Sequence, residues 1–386
     1  MYNILSFSSV IILCHGINII SFLIFGNILG PEKFGIYAKI ISISVIISMF
    51  NTLKLDLTLY ENKEIVRRRN HNLLLIVTIS ISFLLLLLSV VLKNNDYLIA
   101  VLLAASIQLM NFEFIKLMLE NEFKKLNKLR FIQALLNLFI PLILLIKFND
   151  PMVIVISNIS MNFLLYIICK NNSKLVFKKY TISKLTIYIK KYQRYIKYSC
   201  PAEVIGSISA YIPILFIEKN FSMLFLGLFT MALRISYTPI GLVSKSIGEY
   251  FRASLTKKNK KESNVILYIL IILAFLLFIV LNYIDDNMIF YFLDESWVGI
   301  AELLNIMSLF VAIKLFASTI SFILFHYKKN HIDLIWQVMN LIGVFIICLY
   351  SENFIYLIKY FSNFSFIMYM VLSLMCLRLY LNDKNN

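Results

Sequence analysis

Charge is scarce in this chain. Asp, Glu, Lys and Arg make up only 15% of it against 60% hydrophobic residues, and the mean hydropathy is +0.82. A polypeptide this poor in charge cannot hide its apolar surface as an ordinary globule, so it needs lipid as its solvent. Cysteine is scarce as well. The five thiols, Cys14, Cys169, Cys200, Cys348 and Cys376, are scattered in or beside apolar segments. That pattern argues against a disulfide framework or metal cluster and reads as packing. His326 and His331 lie five apart beside Lys328 and Lys329, not at the three- or four-residue spacing that puts two imidazoles on one metal, so no metal or cofactor is expected. The N-terminus is apolar from Ile4 but has no basic start and no small-residue cleavage site. It reads as a retained first span, not a removed signal peptide.

Glycine and proline are few, and one short stretch brings both together. The stretch "NILGPEKFGIYAK", Asn27 to Lys39, holds two of the ten glycines and one of the six prolines. A phosphate-binding loop needs a strand, a Gly-rich turn with a Lys at fixed spacing and a soluble helix, and none of these is present. The stretch reads as a helical-hairpin corner: Gly30-Pro31 stops one helix, Glu32 sits in the first turn of the next, and Gly35 lets helices approach closely.

Long aliphatic runs are what the sequence has in plenty, such as "ISFLLLLLSVVL" and "ILYILIILAFLLFIVL". A bilayer core about 30 Å thick takes roughly 20 apolar residues of helix. By that measure the chain divides into twelve spans: Leu5–Leu29, Phe34–Tyr60, Leu73–Leu92, Tyr97–Leu119, Phe131–Phe148, Met152–Cys169, Cys200–Glu218, Met223–Phe251, Val265–Ile284, Val298–Phe325, Ile332–Tyr350 and Phe354–Leu381.

The formal net charge of +16 would suggest nucleic acid in a soluble protein, but here its distribution among the loops decides. Every second loop is basic: Lys63 with Arg67 to Arg69, Lys124 to Arg130, Arg252 to Lys261, and Lys328 with Lys329. The positive-inside rule makes these loops cytoplasmic, puts both termini inside and turns the Gly30-Pro31 corner outward. No nucleic-acid partner is expected.

The longest connection, also basic, splits the chain into a six-helix lobe over 1–169, a linker over 170–199 and a second six-helix lobe over 200–386. In the linker, Ile182, Leu185, Tyr188, Tyr192 and Tyr195 fall on one helical face among Lys184, Lys190, Lys191, Arg194 and Lys197. That is the pattern of an interfacial amphipathic helix lying on anionic lipid. The lobes look like repeats. A shift of 192 residues lays Phe34–Ala38 on Leu226–Thr230, with Gly35 on Gly227. With six spans per repeat, the axis relating them runs along the membrane normal.

"LGPEKFGIYA" after a first apolar span resembles the opening of the polysaccharide-biosynthesis membrane proteins, the Wzx-type oligosaccharide-unit flippases of the multidrug/oligosaccharidyl-lipid/polysaccharide exporter superfamily. "ISAYIPILFIEKNFSMLFLGLFTMALRISYTPIGLVSKSIGEYF" and "FLDESWVGIAELLNIMSLFVAIKLFASTISFILFHYKK" resemble the same family. Two places depart from its pattern: Glu218-Lys219, where a neutral or single acidic residue is common, and Asp294, where a glycine often precedes the Trp. The resemblance implies an all-α, MATE-like polytopic fold in the bacterial inner membrane, with two lobes around a cavity that opens to each side in turn. The implied cargo is an undecaprenyl-diphosphate-linked repeat unit for O-antigen lipopolysaccharide, capsule or exopolysaccharide. The implied partners are membrane lipids, a polysaccharide polymerase and a chain-length regulator.

Intramembrane charges are the candidate site residues, since charge in hydrocarbon is costly. Lys39, Lys54 and Lys359 lie near span ends, where snorkelling to the headgroups is the favoured reading, although Lys54 stays among the lumen candidates. Arg234 and Lys314 are deep. Arg234 shares a helix face with Lys245, and its guanidinium fork suits a diphosphate, while an inter-helix salt bridge is an equal reading. Glu113 and Glu203 are candidate proton or sodium sites if transport is ion-coupled, as proposed for the family, and structural ion pairs give the same signature. Glu113 and Lys116, three apart, can neutralise each other. An antiporter of drugs or cations is the rival reading and would favour buried acids. A membrane glycosyltransferase or O-antigen polymerase is disfavoured, because the acidic outer loop with Asp285, Asp286, Asp294 and Glu295 is only thirteen residues long, over 285–297.

The orientation is open to direct test. Cysteines introduced at Asn95, Asn149 and Ser351 are expected to react with an impermeant reagent added to intact cells, and one at Asn259 is not. Labelling at position 259 overturns the topology.

Overall fold

The computed structural model describes residues 2–60, 64–120, 122–171, 182–193, 195–256, 260–327 and 329–382. Of the basic loops, Lys63, Lys174, Lys178, Lys179, Arg194, Lys257, Lys258 and Lys328 lie outside the described residues. Every regular element among the described residues is helical. Hydrocarbon offers the backbone no water, and a helix bonds each peptide group within its own segment.

Among the described residues, eleven helices are long and apolar enough to cross a membrane. The first of these, 41 residues from Ile12 to Thr52, measures about 60 Å along its path, enough for two crossings of a core about 30 Å thick. It belongs to α1 (Tyr2–Thr52), which joins the first two expected spans. The corner is narrower than the sequence suggests: only Gly30 leaves helical geometry (φ 68°, ψ 170°), and Pro31 resumes the helix at once. Glycine tolerates that backbone, and proline has no N–H to leave unbonded. The second span also ends earlier than expected. Leu53 and Lys54 are left-handed (φ 49° and 59°), and a 3₁₀ turn, Leu55–Tyr60, follows.

The chain continues through α2 (Glu64–Val91), α3 (Asn95–Leu119), α4 (Phe123–Phe148), α5 (Pro151–Asn171), α6 (Ile182–Lys191), a π-helical turn (Tyr195–Ser199) and α7 (Cys200–Asn220). Then come α8 (Met223–Thr256), α9 (Lys260–Tyr283), the short α10 (Asp286–Phe290), α11 (Ile300–Ile320), the short α12 (Phe322–His326), α13 (Asn330–Tyr350) and α14 (Phe354–Asn382). Short polar residues make the reversals. The Asn94 side chain accepts from the backbone N–H of Asp96 and Tyr97 to start α3, and Asn149 closes α4 in the left-handed conformation (φ 46°) just before Pro151 opens α5. In the acidic loop after α9, Asp285 and Asp294 cap α10 and a 3₁₀ turn, which gives both a structural use.

Two compact units emerge. The first comprises Met1–Leu29 and Ile36–Tyr211, the second Gly30–Gly35 and Ile212–Asn386. In the first, α3 packs on α2 and α5, and α4 packs on α5. In the second, α11 is the hub: it touches α8, α9 and α14, and 61% of its span is buried in protein, against 17% for α9. The outer face of α9, with Tyr268, Phe275 and Tyr283 exposed, is lipid-facing by composition. Many buried hydroxyls bond within their own helices, as Ser42 Oγ does to Ala38 O (2.7 Å) and Ser236 Oγ to Ala232 O (2.7 Å), and those add little to the cost of crossing lipid.

The amphipathic segment forms where expected, as α6, but its apolar face meets protein. Tyr188 and Tyr192 are buried in one core cluster with Leu55, Leu73, Leu126 and Tyr166. The Thr58 hydroxyl donates to Leu55 O (2.7 Å), so the Tyr188 phenol, 2.8 Å from Thr58 Oγ1, is the donor of that pair. Asn70 Nδ2 donates both to Thr58 O (3.0 Å) and to Tyr192 Oη (3.2 Å). Burial pushes the Tyr188 phenol well above the usual tyrosine range, with the Thr58 hydrogen bond acting the other way, so the donor keeps its proton.

The second unit takes in the corner through a backbone approach that only glycine permits. A Cβ on Gly35 would lie 2.5 Å from Met223 O and 3.1 Å from Gly227 N, and one on Gly227 would overlap the Pro31 carbonyl. These are the two glycines that the 192-residue shift superposes. Gly227→Ala is expected to cost about 1–3 kcal/mol by overpacking, read as a lower melting temperature of the purified protein. Gly241→Ala, whose new methyl meets nothing within 4 Å, should be neutral or slightly stabilising. Equal behaviour of the two variants would refute the close approach.

Candidate functional site

The deep cations of the second unit sit on facing helices, and their aromatic neighbours are set by helical spacing. On α8, Tyr237 follows Arg234 by three residues, and on α11, Phe310 precedes Lys314 by four. Each pair therefore lies on one helix face. The Lys314 ammonium is 3.7 Å from the ring centre of Tyr237, 5.4 Å from Phe310 and 5.5 Å from Tyr369 of α14. Trp336 of α13 backs Tyr369 at 5.1 Å and is itself fixed by donating Nε1–H to Met368 O (2.8 Å). No carboxylate lies within ion-pair distance of Lys314 among the described residues. Three aromatic faces take the place of a counter-ion.

Arg234 is held in a related way. Its guanidinium carbon is 5.7 Å from the ring of Phe34, which is buried and meets the fully buried Trp297 edge-on at 5.6 Å. One turn beyond Lys314, Ser318 Oγ is 3.0 Å from Ser244 Oγ, and Ser244 lies two turns beyond Tyr237 on α8. The α8–α11 seam thus lines up two cations, aromatic faces and hydroxyls. Such a seam can hold an anion, offer stacking surface to a sugar ring and donate to its hydroxyls. The side chain of Lys245 lies outside the described residues.

In the first unit, the candidates turn out to be one another's partners. Lys54 Nζ is 2.5 Å from Glu203 Oε2, so the proposed lumen cation and the proposed coupling acid neutralise each other. Glu113, buried to 2%, has Lys116 Nζ at 3.5 Å, and His71 Nε2 lies 3.7 Å from its other oxygen. His71 had no place in the sequence reading. Its signal was a histidine between two asparagines at the edge of an apolar run. Lys39, read as snorkelling, pairs with Asp96 at 2.8 Å.

No protein-family model matches the sequence, and no curated protein does. Solved structures do. The chain superposes on the lipid II flippase MurJ in an inward closed conformation with a TM-score of 0.72 at 14% identity, over 96% of this chain and 87% of that one. A multidrug resistance MATE family transporter of the MOP superfamily, inward-facing, gives 0.68 at 13% identity over 96% of both chains. The Vibrio cholerae MATE transporter VcmN, as a point mutant, gives 0.61 at 10% identity over 99% of this chain and 98% of that one. At these identities the likeness is one of fold. The chain has the all-helical architecture of these membrane transporters.

The Lys54–Glu203 pair is testable by charge reversal. Side chains 24% and 32% exposed place the pair nearer the surface regime, where a bridge contributes about 0.2–1 kcal/mol. Lys54→Glu alone should lower the melting temperature by a few degrees, and adding Glu203→Lys should recover more than half of the loss. A double variant no better than the single one would show that the two charges do not interact.

Proposed function

We propose that this protein is a flippase that carries an undecaprenyl-diphosphate-linked oligosaccharide from the cytoplasmic to the outer leaflet by alternating access. The observation that carries the reading is Lys314, a deep ammonium held by Tyr237, Phe310 and Tyr369 with no carboxylate within ion-pair distance among the described residues. Such cargo joins an anionic diphosphate to a polar glycan and an apolar tail, and the slow step is moving the polar head through hydrocarbon. An ammonium whose partners are aromatic faces, as at Lys314, offers the head a stabilising field that no fixed carboxylate cancels. Arg234 and Lys314 are the cargo cations in this reading. Lys245, eleven residues after Arg234 on α8, is a further candidate by its spacing, and Lys54 contributes only where its bond to Glu203 opens.

Export of a drug or cation by the same fold is favoured by one observation, the buried carboxylate of Glu113. That carboxylate already faces Lys116 and His71, which leaves little attraction for a further cation. Glu113 and Glu203 serve ion coupling only in states that separate them from these basic partners.

The test is complementation of a bacterial strain lacking its own flippase, with surface glycan as the readout and membrane protein level as the control. The unaltered chain is expected to restore glycan. Lys314→Ala should then reduce it at least tenfold at normal protein level, while Lys314→Arg keeps part of it, and Arg234→Ala and Arg234→Lys should behave alike. Full glycan from both alanine variants at normal abundance defeats the assignment. Restored drug efflux without glycan favours the antiporter.

A further inference from the structure

The segment from α6 through the π-helical turn carries a surface that the transport reading leaves unused. It contains no acidic residue from Thr181 to Ser199. Its tyrosine face is turned inward: Tyr188 and Tyr192 are fastened to Thr58 and Asn70 and buried in the first unit. What meets the surroundings is the basic side chains of the same segment, where Lys190, Lys191 and Lys197 are all exposed. Lys191 also donates to Tyr192 Oη at 2.9 Å, which anchors one end of the row. No carboxylate is within ion-pair distance of Lys190 or Lys197 among the described residues. Arg69, next in sequence to the Asn70 that holds Tyr192, is also exposed on α2.

Two exposed side chains show what the patch faces. Ile187 and Tyr198 stand out at 66% and 47% exposure, and the Lys197 ammonium lies 5.5 Å from the Tyr198 ring. A tyrosine with a lysine at its edge and an isolated apolar side chain among lysines is interfacial composition: the rings and Ile187 suit the glycerol region and the ammonium groups suit phosphate. An in-plane amphipathic helix would insert its apolar face, but here that face is spent on the protein. Attachment is therefore by headgroup contact.

We infer that the exposed Lys190–Lys191–Lys197 face is a binding surface for the phosphate groups of anionic phospholipids, held in place by the Tyr188–Thr58 and Tyr192–Asn70 clasp. Several ammonium groups on one short arm repel each other until anions lie between them, so occupancy stabilises the arm and, through the clasp, the start of α2 and the 3₁₀ turn. On the orientation implied by the basic loops, this is the inner leaflet. The inference is independent of what the protein transports.

The test uses the full chain in nanodiscs, of phosphatidylcholine alone or with about one-third phosphatidylglycerol, and reads thermal unfolding. Anionic lipid should raise the melting temperature by about 3–5 °C, and the gain should shrink as ionic strength rises toward about 0.5 M. The triple variant Lys190→Gln, Lys191→Gln, Lys197→Gln should unfold normally in neutral lipid yet lose more than half of the gain. Lys260→Gln with Lys261→Gln, exposed lysines of the second unit, should keep it. Equal loss in both variants means that bulk charge suffices and overturns the site, as does an undiminished gain in the triple variant. If the triple variant fails to fold, single Gln variants at Lys190 and Lys197 are compared in its place, and the same outcomes decide. Inorganic pyrophosphate in neutral discs should give no shift at matched ionic strength. A shift as large as that from the lipid would assign the patch to soluble phosphates and overturn the lipid assignment.

Discussion

A charge placed in hydrocarbon has to be given a partner, and the choice of partner organises this protein. In the first unit the partner is an opposite charge: Asp96 for Lys39, Glu203 for Lys54, and Lys116 for Glu113, with the His71 ring beside that carboxylate. In the second unit Lys314 rests on aromatic faces, the Tyr237–Phe310–Tyr369 cage, and the Arg234 guanidinium has the Phe34 ring beside it. The two solutions differ in what they leave over. An ion pair cancels its own field, whereas an aromatic ring screens a cation and leaves its net charge in place.

The same constraint explains which helices are central. An aromatic cage around Lys314 needs side chains from α8, α11 and α14 at one level, and α11 is the hub on which those helices pack. The close approach that fixes the start of α8 depends on Gly227 lying under the Pro31 carbonyl and Gly35 against Met223 O. A side chain at either place would push the corner off α8, and with it Phe34, on whose ring Arg234 lies. Two backbone positions thus govern a contact two turns further along the helix.

The helices were legible because hydrocarbon thickness fixes their length and apolar runs show it directly. The details of the corner were not: Gly30 and Pro31 mark a break, but nothing local says that the break is one residue wide. The face of α6 was legible from its three- and four-residue spacing, yet its partner was not. A tyrosine has an apolar body and a polar tip that suit either a membrane interface or a protein groove, and only the distant Thr58 and Asn70 decide between them. The Lys54–Glu203 pair spans about 150 residues of sequence, and no periodicity connects its halves. The aromatic cage was partly within reach, since Phe310 and Tyr237 lie one helical turn from the two deep cations. Tyr369 came only with the packing of α14.

On the flippase reading proposed above, the cage also bears on how the carrier lets go. A cation–aromatic contact is worth about 0.5–2 kcal/mol, so an arriving phosphate displaces little to reach Lys314, and little is needed to restore the empty site when it leaves. A carboxylate partner in the same low-dielectric place would hold the ammonium several-fold more strongly, and breaking that pair would leave a buried charge at a cost of about 3–5 kcal/mol. Cargo would then have to match that cost before any net binding appeared. Binding and release of an anion are thus both easier against rings than against acids. On the proposed reading, that asymmetry favours the second unit for transient contact with cargo and leaves the paired first unit the better suited to holding shape.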